Sequence, residues 1–398
     1  MPSTVRLLTP ETADPRTPVV VAARRTPIGT AGRALAGLDV VALATPVLRA
    51  LVDDVGPVAQ RPDTVDEVIL GNCMGPGGDP ARVAALAAGL GLAVPGLTVD
   101  RQCGSGLEAV NVGALRVLCG DRLVLAGGVE SASTAPTRLA LAPDGARVAY
   151  DRARFSPDEI GDPGMGEAAD DLARERAISR LRQDEYAVRS HALAVANADA
   201  GRYRAELVPV GGVDRDERPR AGLDVATLGR FRPAFTPDGT ATAGNSCGIS
   251  DGCAAVALLD EATRRDLGLP GLAIRAVASA GVHPRLPGLG PVPAVQSVLS
   301  AAGLGWADVG AVELTEAFAA QVLACTDAWG LDPLGADGDR VCAQGGAIAL
   351  GHPWGASGAL LMVRLFSRMV REQGPRFGVA ACAVGGGQGV ALLVERVG

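Results

Sequence analysis

Short, wholly apolar runs alternate with amphipathic helical stretches twice along this chain. That alternation restricts the fold more than any other feature. Val19-Val20-Val21-Ala22-Ala23 reads as a buried strand, and apolar residues at helical spacing follow over residues 40–55. Strands are expected over 66–72, 97–99 and 122–128, with helices over 81–92 and 106–118 between them. From about 130 to 240 the pattern changes to charged loops rich in Pro and Asp and one long amphipathic helix over 180–200. Alternation resumes after Gly252 and runs through 254–259 and 273–278 to 390–394. Strands alternating with helices imply a layered α/β fold with a mainly parallel sheet. Residues 1–17, rich in Pro and Thr, read as an extended leader outside the fold. Residues 18–128 with 240–265 form one half, 129–239 an inserted loop domain over the active site, and 266–398 the second half.

A faint repeat links the halves. Cys103-Gly104-Ser105-Gly106-Leu107 opens a helix that leads to a strand ending at Gly127-Gly128. Gly355-Ala356-Ser357-Gly358-Ala359 opens a helix that leads to a strand ending at Gly385-Gly386-Gly387. Both points carry reactive side chains. Cys103 stands where a strand gives way to a helix, and the positive end of a helix dipole favours a thiolate there. Its Gly and Ser neighbours leave room for a bulky acyl group. His352 lies in Gly351-His352-Pro353, a loop stiffened by proline. Rigid placement suits a base that must meet a thiol. Glycines 385–387 and 389 let a backbone N–H approach a ligand closely, as an oxyanion hole requires, and equally suit a tight turn between strands.

Composition narrows the chemistry. The net charge of −7 disfavours nucleic-acid or anionic-membrane partners. The chain has no lysine, which excludes a lysine Schiff base. Eight cysteines without a CxxC pair, beside three histidines, give no metal-ligand spacing, so no metal site is expected. The cysteines fit a reduced, cytoplasmic setting better than a disulfide framework. The start of the chain lacks a signal-peptide pattern, and no apolar run is long enough to span a membrane.

Together these residues resemble the thiolase family from about Val19 to Val397. Further matching stretches are Arg25-Thr26-Pro27-Ile28-Gly29, Ala126-Gly127-Gly128-Val129-Glu130-Ser131, Met165-Gly166, residues 244–252, 290–294 and 316–321. The resemblance implies duplicated βαβαβαββ halves in a five-layered α-β-α-β-α core, a dimer or tetramer, and acyl-CoA or acyl-carrier thioester substrates. Coenzyme A enters as substrate or product, with no permanently bound cofactor. Cys103-Gly104-Ser105 matches the nucleophile motif and Gly351-His352-Pro353 the motif of its activating histidine. The backbone N–H groups of Cys103 and Gly385 would form the oxyanion hole. Arg220 matches an arginine near the CoA nucleotide, and Cys247, Met165 and Phe318 fall where acyl and pantetheine groups sit.

Two family loops are altered. The Asn-Glu-Ala-Phe motif, whose Asn holds an oxyanion-hole water, reads Thr315-Glu316-Ala317-Phe318. The Cys-x-Gly motif, whose cysteine is the acid/base at the substrate α-carbon, reads Ala383-Val384-Gly385. Cys382 lies one residue earlier, which in a regular strand turns its side chain to the opposite face; only a bulge would return it. Family Ser, Met and His positions become Cys247, Pro287 and Gly164, and two Asn positions become Cys342 and Gln344. The reading is therefore a thiolase-type acyltransferase working through a Cys103 acyl-enzyme, by thiolysis of 3-ketoacyl-CoA or Claisen condensation with acetyl-CoA. Two alternatives stand beside it. One is a biosynthetic variant that transfers the acyl group to a non-carbon acceptor, hydrolyses the thioester or condenses with decarboxylation. The other is a non-catalytic thiolase-like binding subunit.

Overall fold

The computed structural model describes residues 3–8, 14–57, 59–61 and 63–398. The strands are β1 (Ser3–Leu7), β2 (Pro18–Arg25), β3 (Gly29–Thr30), β4 (Glu67–Gly71), β5 (Gly96–Val99), β6 (Leu123–Ser131), β7 (Arg138–Leu141), β8 (Arg147–Tyr150), β9 (Ser250–Asp260), β10 (Gly271–Gly281), β11 (Val309–Leu314), β12 (Phe377–Val384) and β13 (Gln388–Val397). The helices are α1 (Val40–Val55), α2 (Pro80–Ala87), α3 (Ser105–Leu118), α4 (Met165–Glu175), α5 (Arg180–Asp199), α6 (Val225–Leu228), α7 (Glu261–Asp266), α8 (Pro291–Ala302), α9 (Ala319–Trp329), α10 (Ala347–Leu350) and α11 (Trp354–Phe366).

One row of strands runs β11-β12-β13-β10-β2-β9-β6-β4-β5, with β1 added on β10 and β3 on β9. Among the described residues, its two halves meet where Leu272 and Ala273 of β10 pair with Val20 and Val19 of β2. The layers follow from which faces are apolar. α1 and α2 cover the outer face of the first half, in a core that includes Leu43, Leu48, Leu51 and Leu70. α8 and α9 cover the second half with Val295, Val298, Val322 and Leu323. α3 and α11 lie between the halves and pack against each other and against strands of both. The result is the α-β-α-β-α order.

The mainly parallel sheet that alternation suggests is corrected by the register. β4 runs parallel to β5 and β6, and β11 to β12. The inner strands β2, β9, β10 and β13 pair antiparallel with their neighbours. At β12–β13 a short connection forces the antiparallel pairing: β12 turns into β13 across three glycines, too few residues for a parallel crossover. The leader is also corrected. Ser3–Leu7 is not outside the fold but pairs antiparallel with residues 276–280 of β10; residues 1–2 and 9–13 fall outside the described part.

α3 and α11 touch backbone to backbone because glycine faces glycine. A Cβ on Gly106 would stand 2.7 Å from Gly355 O and 2.8 Å from Ala359 N of α11, and one on Gly358 would collide with Leu107 N of α3. Large side chains at these positions would force the helices apart. Their close approach brings together the two loops that enter them, which carry Cys103 and His352. Between β6 and β9 the chain forms the β7–β8 hairpin and α4 to α6. This region is tied to the core by buried polar contacts such as Tyr186 Oη and Ser190 Oγ donating to Glu316 at 2.8 and 2.6 Å. No helix among the described residues is long and apolar enough to cross a membrane.

Candidate active site

Cys103 sits on a tight turn between β5 and α3. Gln102 adopts a left-handed backbone with φ 47°, a conformation that costs a non-glycine residue roughly 1 kcal/mol or more. The turn is held by Arg101 N donating to Ser105 Oγ at 2.8 Å, Ser105 Oγ to Gln102 O at 2.6 Å, and Gly104 N to Arg101 O at 3.0 Å. Ser105 of the Cys-x-Ser motif thus fastens the loop. Cys103 opens on a cavity of about 580 Å³, which His352, Cys247, Met165, Phe318, Ala383 and Gly385 also line.

His352 is buried, and its environment fixes the tautomer. Ser357 Oγ donates its one hydrogen to Pro353 O at 2.9 Å, so at 2.6 Å it can only accept from His352 Nδ1. The proton therefore resides on Nδ1 and the lone pair on Nε2, which has no partner among the described residues. Burial lowers the His352 pKa from 6.5 to about 4. Burial, followed by the neighbouring Cys382 and Cys247, pushes the Cys103 thiol well up. At rest the pair is a neutral thiol beside a neutral base. The N-terminal end of α3 supplies positive potential once charge develops on sulfur.

Glu130 ties the 72–74 loop to the start of the helix that follows His352. Its carboxylate accepts from Asn72 Nδ2 and Met74 N on one oxygen and from Cys73 N and Gly355 N on the other, at 2.9–3.1 Å. Glu316 does the same on the other side: it accepts from Tyr186, Ser190 and Ile348 N and joins the 315–318 loop to the inserted region and to α10. Burial raises both carboxyl pKa values against these bonds. The backbone N–H groups of Cys103 and Gly385 find no acceptor among the described residues. Gly386 and Gly387, at φ 81° and 78°, complete the β12–β13 turn that presents Gly385. The turn and the presentation of a free N–H are one structure.

The altered positions divide. Ala383 lines the cavity. β12 pairs with β13 in unbroken register from Phe377↔Glu395 to Val384↔Gln388, so no bulge turns Cys382 around. Its thiol points into the central helical layer, donates to Cys103 O at 3.1 Å, and does not line the cavity. Burial pushes its pKa up to about 12. With no bulge in the register, the Cys382 side chain stays on the face opposite Ala383, away from the cavity. Thr315 is buried behind the cavity wall beside Cys382, with its hydroxyl unpartnered, and does not reach the lining either. Arg220 is exposed and outside the lining; its amide donates to His191 Nδ1 at 3.2 Å. Gly164 and Pro287 do line the cavity.

Several residues of the site are not singled out by sequence reasoning. Glu130 and Glu316 stand inside recognised stretches, yet their partners are far away in the chain. Ser357 could have been found from its place one turn into the helix that follows His352. Arg218, whose guanidinium packs against Gly248 beside Cys247, gave no signal beyond being a loop charge.

Comparisons with known proteins show what the chain as a whole is similar to. The family model for the thiolase N-terminal domain matches residues 18–262, and that for the thiolase C-terminal domain matches residues 270–396. The chain is 42% identical to an acetyl-CoA acetyltransferase of Pseudomonas aeruginosa, covering 95% of this chain and 99% of that protein. It is 43% identical to a probable acetyl-CoA acetyltransferase of Escherichia coli, covering 95% and 98%. The crystal structure of the Bacillus anthracis acetyl-CoA acetyltransferase superposes with a TM-score of 0.87 at 37% identity, over 96% of this chain and 99% of that one.

Proposed function

The chain belongs to the thiolase family and is an acyltransferase acting on acyl-CoA thioesters, and from that premise we propose that it works through an acyl-enzyme on Cys103. The observation that carries this reading is the unpartnered Nε2 of His352, buried, fixed by Ser357 and opening on the same cavity as the thiol. His352 takes the Cys103 proton as sulfur attacks the thioester or ketone carbonyl. The oxyanion falls between the free N–H groups of Cys103 and Gly385, donors already in place before charge develops. Collapse leaves an acyl thioester on Cys103 and an imidazolium at His352, and the departing group takes up a proton as it leaves.

Acetyl-CoA and 3-ketoacyl-CoA are the proposed substrates, in line with the names of the relatives. Coenzyme A acts as substrate or product rather than as a resident cofactor. Met165, Phe318 and Cys247 would contact the acyl and pantetheine groups. Arg220, exposed and outside the cavity lining, would contact the nucleotide end. A cytoplasmic setting is proposed, in keeping with eight free cysteines. A homo-oligomer is proposed on two apolar surfaces, the β7–β8 hairpin with exposed Leu139, Leu141 and Val148, and the β5 edge with Leu92 and Leu97.

Intact-protein mass spectrometry tests the reading. Acetyl-CoA and acetoacetyl-CoA should each leave an acetyl adduct on Cys103 that free CoA discharges, and Cys103→Ala should show none. No adduct across a panel of acyl-CoA chain lengths would overturn it.

A further inference from the structure

Thiolysis and condensation both make or break a carbon–carbon bond, and each therefore needs a group that gives and takes a proton at the substrate α-carbon. Ala383 has no such group, and the Cys382 thiol is turned into the helical layer and bonded to Cys103 O. Other titratable side chains around the cavity are committed. Cys73 Sγ donates to Gln102 O at 3.1 Å, Glu167 accepts from Gly164 N at 2.9 Å, and Arg152 pairs with Asp162 at 2.7 Å. Asp151 is exposed at the rim, and His352 serves Cys103.

One thiol is left. Cys247 lines the cavity, and among the described residues its sulfur has no partner beyond its own backbone amide. Its N–H donates to Ala317 O at 3.0 Å, while Thr315 N donates to Ala381 O at 3.1 Å. The 315–318 loop is thus flanked by Cys247 on one side and by the end of β12 that carries Ala383 on the other. Arg218 lies against Gly248 next to this thiol, with a buried and unpartnered Nε. We infer that Cys247, backed by the Arg218 guanidinium, is the acid and base that acts at the substrate α-carbon, replacing the thiol missing at position 383. Burial keeps Cys247 protonated, up to about 12, and the Arg218 charge works in the opposite direction by favouring the thiolate. A group held between those influences can both donate and recover a proton.

The proton account closes. His352 takes the Cys103 proton, and sulfur adds to the 3-keto carbon. Cleavage of the C2–C3 bond places the electron pair on C2 as the acetyl-CoA enolate. The Cys247 S–H protonates C2, releasing acetyl-CoA and leaving a thiolate beside Arg218. CoA–SH then attacks the acyl-Cys103. Its proton goes to the Cys247 sulfur, and the imidazolium proton returns to Cys103. Condensation runs the same steps backwards.

This inference rests on the Cys103 acyl-enzyme reading, and two readouts keep them apart. Adduct formation on Cys103 reports the reading, and exchange of acetyl-CoA methyl hydrogens in D₂O reports the α-carbon proton. Cys247→Ser should lower exchange at least about 100-fold relative to the acylation rate. Adding Ala383→Cys to that variant should restore exchange, whereas Cys382→Ala alone should leave the ratio unchanged. The inference is overturned if Cys247→Ser exchanges normally, if exchange and acylation fall in parallel, if Cys382→Ala abolishes exchange, or if the wild type forms the adduct without exchanging. Absence of the adduct itself would overturn the acyl-enzyme reading instead.

Discussion

Two sides of one cavity are built to different standards. On the acylating side the Ser357, Glu130 and Ser105 side chains are bonded within the protein, and the polar groups left without a partner among the described residues are those that must act, His352 Nε2 and the N–H groups of Cys103 and Gly385. On the side bounded by the 315–321 segment, Thr315 Oγ1, Ser246 Oγ and Gln321 Oε1 are buried without partners. An unmade buried hydrogen bond costs roughly 1–3 kcal/mol. The contrast teaches that the first half-reaction is prepared in the free protein, whereas the second is completed by what enters the cavity. The altered family positions Thr315 and Ala383 both fall on the incomplete side.

The sharpest way to break this comparison is to remove the prepared base. His352→Ala should lower the rate of Cys103 acylation by about 10²- to 10⁴-fold, measured by rapid quench and mass spectrometry, with little change in the fraction folded at neutral pH. An acylation rate within a few-fold of wild type would mean that the two sides do not differ in preparation.

The same burial has a thermodynamic signature. His352 has a folded pKa near 4 against 6.5 in an exposed setting. Between those values the unfolded chain binds the proton that the folded chain refuses. Stability therefore rises with pH through this window and is lost as pH falls from about 6.5 to 4, by up to roughly 3 kcal/mol for this residue. His191, also lowered to about 4 by burial and then by Arg218 and Arg220, acts in the same direction. Denaturant midpoints at pH 7 and pH 4.5 should fall further apart in the wild type than in His352→Gln. Equal separations would show that the imidazole is not held neutral by burial.

How much of this could be read in advance follows the range of the contacts. Cys103 and His352 were legible because each stands two residues before a buried helix, in a run of small residues and, for His352, beside a proline. The rule that a one-residue step along a strand changes face also carried the orientation of Cys382, once the β12–β13 register proved unbroken. What stayed hidden was set by distance along the chain. Glu130 meets Gly355 across 225 residues, and Arg218 meets Gly248 through a loop with no periodicity. Ser3–Leu7 escaped notice because Val5 and Leu7 remain more than a third exposed, so burial left no mark on the pattern.

The smallest predicted effect bears most directly on the unprepared side. Thr315 is 2% exposed, yet its hydroxyl has no partner among the described residues, although its N–H donates to Ala381 O. Thr315→Val keeps the shape and β-branching and removes only the unsatisfied hydroxyl. If that hydroxyl is idle in the free protein, the substitution should stabilise it by about 1 kcal/mol. For a chain of this size that is a rise of roughly 2 °C in Tm, readable by calorimetry without ligand. The identical substitution should weaken turnover if the hydroxyl binds a water or substrate atom during the second half-reaction. A fall in Tm would place an ordered water on Thr315 before substrate arrives, and the two sides of the cavity would then be equally prepared.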